Sequence, residues 1–291
     1  MGASLYLTGS MLNGFGGSSR DLDLVVIPPP GTMRGSVQYL GDARRLLQET
    51  CGDYVKEKEF VPHTTVPLLI LEDKTGQFEI KLTVNNTNAI LNTHLLHACS
   101  QQDPRVRPLV VAVVHWARQR DINTPRHHTL SSYALDLMVI HFLQLEAVVP
   151  CLQKDHPAMF SGGNSVTSLD YDDIPTFHSN NKMTLGELFV GFFEYYNNFD
   201  FNADVISVRT GHILSREECQ RYTYARRMGH RQWTANMMIE DPYRRNNVTT
   251  YVSNDWGQWR KIRAAFRDAA TVINNNMNAK DQVTLDDIIE S

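Results

Sequence analysis

The sequence predicts an α+β fold, with a mixed sheet in the first third of the chain and helices in the rest. Two stretches alternate apolar and polar residues as half-buried strands do, DLDLVVI at 21–27 and QFEIKLTV at 77–84. A third stretch, TLGELFVGFFEYY at 184–196, repeats its apolar residues at helical spacing. We therefore expect a sheet domain over residues 1–92 and a helical domain over residues 93–291.

The sheet domain is predicted to contain three to five strands and a covering helix. Its first strand begins near Leu5, so we expect a further N-terminal region ahead of it. A helix is predicted from Val37 to Thr50, because its apolar residues share one face. The apolar run VPLLIL at 66–71 is predicted as a buried strand. In the strand at 77–84, Glu79 and Lys81 point to the face opposite the apolar side chains.

The helical domain is predicted to contain four helices, beginning at Asp103, Thr129, Thr184 and Trp256. The first runs to about Arg120, and Pro150 ends the second. Thr184 and Glu187 form a capping box, T-x-x-E, at the start of the third. The polar segment 161–182 and the basic segment 215–233 are predicted as loops.

The composition is that of an ordinary globular protein, with 42% apolar and 21% charged residues. The net charge of −4 means that any nucleic-acid surface must be local. No apolar run of about 18 residues is present, so we expect no association with a membrane. The cysteines show no metal spacing and are predicted to be reduced, mostly buried thiols of a cytosolic protein: Cys51, Cys99, Cys151 and Cys219.

A glycine-rich turn followed by two aspartates is the stretch most typical of a functional site. Gly9-Ser10 breaks the first strand, and glycines allow a backbone to approach a phosphate closely. Further glycines follow at Gly14, Gly16 and Gly17. Asp21 and Asp23 lie two apart in the next strand and share a face, where such a pair suits Mg²⁺. The alternative is a hairpin whose exposed face carries two aspartates.

This spacing resembles that of the DNA polymerase β-like nucleotidyltransferases. Segments spread in order over nearly the whole chain resemble the cytoplasmic, noncanonical poly(A) RNA polymerases of the germline-development type and their terminal uridylyltransferase relatives. The segments are GSMLNGFGGSSRDLDLVV, EIKLTVNN, ILNTHLLHA, DPRVRPLVVAVVHWARQRDIN, TLSSYALDLMVIHFLQ, TLGELFVGFFEYY, ISVR and IEDPY. The resemblance implies a palm-like catalytic domain over 1–92, a helical central domain with a poly(A)-polymerase-associated segment at about 184–242, and a nucleotide cleft between the domains.

The resemblance also implies roles for individual residues. Asp21 and Asp23 would be the catalytic residues and would hold two Mg²⁺ (or Mn²⁺) ions, with Gly9 and Ser10 on the triphosphate. The other expected nucleotide-binding residues are Asn92 and Thr93 at the ribose, Ser132 and Tyr133 at the phosphate and base, Arg118 at phosphate oxygens, and Asn247 at the base. Several have structural alternatives: Tyr133 as a core aromatic, Asn92 and Thr93 as helix caps, and Arg118 as a solvated arginine.

Two positions depart from the family pattern. The family expects a third metal-binding carboxylate where this chain has Lys81, and a phosphate-binding lysine where it has Val114. Glu79 lies on the same strand face as Lys81 but is displaced by about 6.6 Å. We therefore predict that Lys81 forms an ion pair with Asp21 or Asp23 and so replaces a missing cation. Asp136 lies within an otherwise apolar helix, where it is either a polar support of the site residues or a sign that the sequence of the site is under relaxed constraint.

The resemblance implies a template-independent enzyme that adds AMP from ATP to an RNA 3′ end in the cytoplasm. The alternatives are a catalytically inactive relative that acts as a binding partner, favoured by Lys81 and Val114, and a terminal uridylyltransferase. Within the family, a histidine at the place of Asn247 marks uridine preference, so adenosine is expected here. An RNA-binding adaptor protein is expected to select the RNA. The basic residues predicted to contact RNA phosphates are Arg105, Arg107, Arg226, Arg227 and Arg231.

Overall fold

The computed structural model describes residues 2–16, 21–31, 34–64, 66–163, 165–221, 235–252, 255–279 and 288. Gly17 and the predicted RNA contacts Arg226, Arg227 and Arg231 lie outside these residues. The chain forms two compact units. One comprises Met1–Ala98 with Gly162–Asp173, and the other comprises Cys99–Ser161 with Ile174–Ser291. The predicted division after residue 92 falls within a helix, Thr87–Gln102.

The first unit contains a five-stranded mixed sheet in the order β1-β2-β5-β4-β3. Its strands are β1 Ser4–Thr8, β2 Asp21–Ile27, β3 Val55–Val61, β4 Leu68–Asp73 and β5 Glu79–Val84. Neighbouring strands are antiparallel except β2 and β5, which run parallel. The α+β class and the two alternating strands are confirmed; β3 was not predicted, because its sequence VKEKEFV carries few apolar residues.

One helix, α2 (Ser36–Cys51), packs on this sheet as predicted. Leu40 of the helix is fully buried against Leu69, Leu82 and Val84 of the sheet. Alternation leaves the charged side chains of β2 and β5 on the opposite face, where the candidate site lies.

Two further helices flank the glycine turn: α1 (Ser10–Asn13) and α3 (Thr87–Gln102), of which the residues up to Ala98 belong to this unit. His97 Nδ1 of α3 lies 3.0 Å from the carbonyl oxygen of Leu12. His94 Nε2 lies 2.8 Å from the carbonyl oxygen of Asp170, and the Tyr171 ring meets both histidines edge-on. Part of the segment predicted as a surface loop, which includes a 3₁₀ turn at Val166–Ser168, therefore packs on the sheet unit.

The second unit is helical. Its long helices are α4 Val106–Gln119, α5 Ser132–Leu145, α8 Leu185–Asn198 and α10 Trp256–Ala279. Shorter elements are a 3₁₀ turn at Pro125–His127, α6 Leu152–Asp155, α7 Pro157–Phe160, α9 Arg216–Gln220, β6 Asp204–Val205 and β7 Leu214–Ser215. Trp116 is fully buried at the centre, with Phe193 and Phe266 at 4.7 and 4.9 Å between ring centroids.

The predicted helices are confirmed, with two corrections. The capping box of Thr184 and Glu187 is present. However, α5 ends at Leu145, ahead of Pro150, so the proline is not what ends it. A second capping box, from Ser215 to Glu218, starts α9 within the segment predicted as a loop. No helix of the described residues is long and apolar enough to cross a membrane.

Candidate nucleotide and catalytic site

The parallel pairing of β2 and β5 brings the predicted catalytic residues together. In this register Asp21 stands opposite Glu79, and Asp23 stands opposite Lys81. Residues two apart in a strand share a face, so all four side chains lie on one side of the sheet. The sheet therefore places a lysine beside two aspartates where the family pattern has a third carboxylate.

The predicted ion pair of Lys81 is confirmed. Its Nζ lies 2.7 Å from Oδ2 of Asp21 and 3.5 Å from Oε1 of Glu79. Glu79 also accepts a hydrogen bond from Lys58, the residue at a register shift of β3. Cations and anions thus alternate across the sheet, and the ammonium group of Lys81 neutralises charge that would otherwise need a bound cation.

This arrangement shifts the pKa of three groups. Burial raises the pKa of Asp23; Lys81 opposes that shift, while the charges of Asp21 and Glu79 add to it. For Lys81, burial lowers the pKa, but the hydrogen bond and charge of Asp21, with Asp23 and Glu79, outweigh it and the pKa is raised. The hydrogen bond from Lys58 lowers the pKa of Glu79. Lys81 is therefore held as a cation at neutral pH.

The glycine turn lies directly against Asp23. Gly9 has φ 76° and ψ −161°, a backbone conformation found almost only in glycine. A Cβ at this position would collide with the Asp23 carboxylate. The amide N–H of Gly9 donates to Thr93 Oγ1 at 2.9 Å, and that hydroxyl donates to the Ala89 carbonyl at 2.7 Å. Thr93 therefore positions the turn that leads into Ser10.

Thr93 and Asn92 both lie inside α3 and are buried, so the interpretation of these residues as helix caps is wrong. Ser10 begins α1 and is partly exposed. The predicted contacts of Ser10, Asn92 and Thr93 with nucleotide stay predictions.

In the second unit, Arg118 and Ser132 meet at a residue that was not singled out from the sequence. Arg118 Nε donates to Asn123 Oδ1 at 3.3 Å, and Ser132 Oγ donates to the same oxygen at 3.2 Å. Asn123 Nδ2 in turn donates to the Leu130 carbonyl. The signal available in the sequence was the position of Asn123 in RDIN, directly after the helix that carries Arg118.

Tyr133 is joined to the E-D-P-Y loop. Its hydroxyl donates to Asp241 Oδ2 at 3.3 Å, while Asp241 Oδ1 accepts from the amides of Tyr243 and Arg244 at 3.0 and 2.8 Å. Burial, reinforced by Asp241, raises the pKa of Tyr133 far above its usual value. Asp241 is therefore a positioning residue that the sequence reasoning did not single out.

Asn247 is buried, and its amide is used within its own loop. Its Oδ1 accepts from the amides of Ile239 and Thr249 at 3.1 and 3.0 Å and from the Thr249 hydroxyl at 2.8 Å. Its Nδ2 donates to the Met237 carbonyl at 3.1 Å. Asn247 thus has a structural role in this loop, and its predicted contact with a base stays a prediction.

The two other unusual positions are both buried. Val114 is 7% exposed on α4, one turn before Arg118. Asp136 lies within α5, where burial raises the pKa of its carboxyl group to about 8, although the charge of Arg118 opposes that shift. Asp136 is therefore largely protonated at neutral pH.

Arg105 has structural partners, and its predicted contact with RNA phosphates stays a prediction. It pairs with Asp103 at 2.8 Å and donates to Asn181 Oδ1 and the Met183 carbonyl. Arg107 lies at the edge of hydrogen-bond range of Ser100 Oγ, at 3.4 Å.

The residues of the sheet do not fit a two-metal centre. Among the described residues, no group of three or more His, Cys, Asp or Glu side chains can hold a metal ion. Asp21 and Asp23 supply oxygen ligands of the kind Mg²⁺ prefers, but the Lys81 ammonium already pairs with Asp21. A metal ion at this position would have to displace Lys81.

Two aspartates on one strand, beside a glycine turn in a mixed sheet, are typical of the nucleotidyltransferase superfamily. This superfamily is the class of the protein. Two family models match, one described as poly(A) RNA polymerase, mitochondrial-like, central palm domain, over residues 1–101. The other, Cid1 family poly A polymerase, matches residues 184–247.

The chain belongs to the noncanonical poly(A) RNA polymerases of the GLD-2 type. It is 35% identical over 273 residues to Poly(A) RNA polymerase GLD2 of Danio rerio, a match that covers 91% of this chain and 53% of that protein. A chain in the GLD-2/RNP-8 complex superposes with a TM-score of 0.79 at 32% identity, covering 99% of this chain and 86% of that one.

The Cid1 poly(U) polymerase, solved with Mg and 3′-dATP bound, gives a TM-score of 0.71 at 28% identity over 94% of this chain and 82% of that one. The present chain spans about half the length of the Danio rerio protein.

Proposed function

We propose that this chain is the nucleotide- and RNA-binding core of an RNA 3′-end nucleotidyltransferase that takes ATP as donor, and that Lys81 suppresses the transfer of AMP. The observation that carries the proposal is the placement of Asp21 and Asp23 against the Gly9 turn, with Lys81 paired to Asp21 at 2.7 Å. Membership of the GLD-2 family supports the reaction class.

The suppression follows from charge. Polymerase chemistry of this type uses carboxylates to hold metal ions that stabilise the charge developing during phosphoryl transfer. An ammonium in place of one carboxylate reverses a charge at the centre of the site and competes for Asp21. Val114 removes a second cation that the family places near the outer phosphates.

A second candidate function is that of an inactive member of the family, which binds nucleotide and RNA, transfers no AMP and serves as a partner protein. The ion pair between Lys81 and Asp21 favours this candidate, because it satisfies the site without a metal ion.

Incorporation of radiolabelled AMP into an oligo(A) primer, with Mg²⁺ or Mn²⁺, separates the candidates. Lys81→Asp is expected to raise incorporation at least about 100-fold, since a positioned charge contributes several kcal/mol and each 1.36 kcal/mol is tenfold in rate. Lys56→Asp is the matched control, because Lys56 pairs with Glu72 on the same sheet away from Asp21. Adding Asp21→Asn to Lys81→Asp should abolish the gain.

A Lys81→Asp protein that is folded but incorporates no AMP would contradict the first candidate function and favour the second. A wild-type protein already as fast as Lys81→Asp would show that Lys81 does not suppress transfer.

ATP is proposed to bind at least as tightly as UTP, because Asn247 stands where the family's uridine-selecting histidine would be. Calorimetry that shows tighter binding of UTP would contradict this and favour a uridylyltransferase.

An adaptor protein is proposed to select the RNA. A relative is solved as a GLD-2/RNP-8 complex, which supports a protein partner for this chain as well. A cytoplasmic location is proposed on the family resemblance, and localisation of the tagged full-length protein tests it.

A further inference from the structure

The helical unit contains a basic pocket of about 310 Å³ outside the site described above. It is formed by three separate segments, and the lining residues that carry its chemistry are Gln153, Lys154, Arg209, His212, Tyr243 and Arg245. Its volume lies at the lower end of the range for ligand pockets and suits one nucleotide rather than a folded partner.

The three segments are tied together by specific contacts. Gln153 Nε2 donates to the carbonyls of Phe160 and Pro242, at 3.0 and 3.3 Å. Gln153 Oε1 is a buried atom for which the structure shows no hydrogen-bond partner within the described residues. A buried acceptor without a partner costs free energy, and a ligand or water that donates a hydrogen bond to it would remove that cost.

Arg209 is fixed before any ligand arrives. It pairs with the fully buried Glu240 at 2.9 Å through Nη2 and at 3.1 Å through Nε, and Glu240 also accepts from Ser207 Oγ at 2.6 Å. The charge of Glu240 is thereby neutralised by Arg209. Lys154 and Arg245, both exposed, are further cations that line the pocket.

Arg245 is held in an unusual backbone conformation. Its φ of 53° is left-handed, a conformation that is unfavourable for residues other than glycine and asparagine. The turn that contains it is closed by the Arg245 amide donating to the Asp241 carbonyl at 2.9 Å. Residues with a strained backbone concentrate at binding sites, and here the strained residue, Arg245, is a cation that lines the pocket.

We propose that this pocket binds one nucleotide of the RNA, with its phosphate on Lys154 and Arg245 and its base against the Tyr243 ring. Proteins usually hold single-stranded RNA with cations that bind its phosphates and with aromatic rings that stack on its bases. The proposal rests on the proposed function, in which RNA is the acceptor, and it adds a contact site for that RNA.

Fluorescence anisotropy with a labelled 15-nucleotide oligo(A) at several salt concentrations tests the proposal on the full chain. Lys154→Gln with Arg245→Asn removes both charges, and asparagine tolerates the left-handed backbone, so the fold is preserved. This double variant is expected to weaken binding at least tenfold and to reduce the salt slope by about 0.7, the contribution of one single-strand phosphate contact. Tyr243→Leu should weaken binding at least fivefold, as expected for loss of one stacked base.

Lys182→Gln, an exposed lysine of the same unit outside the pocket, is the matched control and should leave binding unchanged. Calorimetric ATP binding is expected to be the same in the double variant, in Lys182→Gln and in the wild type. A double variant that binds RNA as tightly as the wild type would overturn the proposal and leave the pocket to a phosphorylated protein partner. A wild type that binds ATP but no RNA would overturn it while the nucleotide part of the proposed function stands.

Discussion

The charged face of the sheet and the loop at residues 235–249 both contain predicted site residues, but they satisfy their polar groups differently. On the sheet, Asp21 is satisfied by an ion pair with Lys81, from a strand distant in the sequence. In the loop, Asn247 is satisfied by partners within ten residues of it in the sequence. A mutation on the sheet is therefore expected to change chemistry, whereas a mutation of Asn247 changes the fold of the loop.

The largest expected effect on stability is at Gly9, which has a backbone conformation found almost only in glycine and lies directly against Asp23. Gly9→Ala should lower the free energy of unfolding by about 1–3 kcal/mol for the backbone conformation alone, and a further loss comes from displacing Asp23. Urea unfolding measures the change. Gly41→Ala is the control, because a Cβ there meets open space in helix α2 and should stabilise by about 0.5–1 kcal/mol. Equal stability of Gly9→Ala and wild type would show that the turn is not constrained as described.

Asn247→Ala should lower the free energy of unfolding by at least about 2 kcal/mol, because each buried group left unsatisfied costs about 1–3 kcal/mol. The exposed Asn198→Ala is the control, since it removes a single surface hydrogen bond. Asn247→His is expected to move preference toward UTP only if the loop survives the loss of these bonds. A fully stable Asn247→Ala protein would mean that the amide does not hold the loop.

Asp136→Asn should change how stability depends on pH. The folded-state pKa of about 8 lies above the value near 3.9 of an unfolded chain, so the native state holds a proton that the unfolded state has lost. The stability this provides is present below pH 4 and is lost as pH rises toward 8. Wild type should therefore lose on the order of 2 kcal/mol relative to Asp136→Asn between pH 6 and pH 8. Urea unfolding at both pH values, with exposed Asp172→Asn as control, checks this; parallel pH profiles would contradict it.

The contrast between the charged face of the sheet and the loop at residues 235–249 also explains which contacts could be predicted from the sequence. Strand periodicity places Asp21 with Asp23 on one face of their strand, and the family resemblance places Lys81 at the third-carboxylate position beside them, so the ion pair of Lys81 was predictable. The capping box at Thr184 is a similarly local signal. By contrast, the partners of Arg105, Asn123 and Asn247 depend on how loops and helices pack, which periodicity does not encode. Packing therefore revealed the structural partners of Arg105 and the bond by which Asp241 positions Tyr133.

Binding of Mn²⁺, followed by electron paramagnetic resonance, tests most directly whether Lys81 supplies the positive charge of this site. Wild type is expected to bind Mn²⁺ at Asp21 and Asp23 at least tenfold more weakly than Lys81→Asp, with Asp21→Asn in the Lys81→Asp background removing the gain. Equal, tight binding of Mn²⁺ by wild type and Lys81→Asp, lost on Asp21→Asn, would contradict the account, because it would show that a metal ion displaces Lys81 without cost.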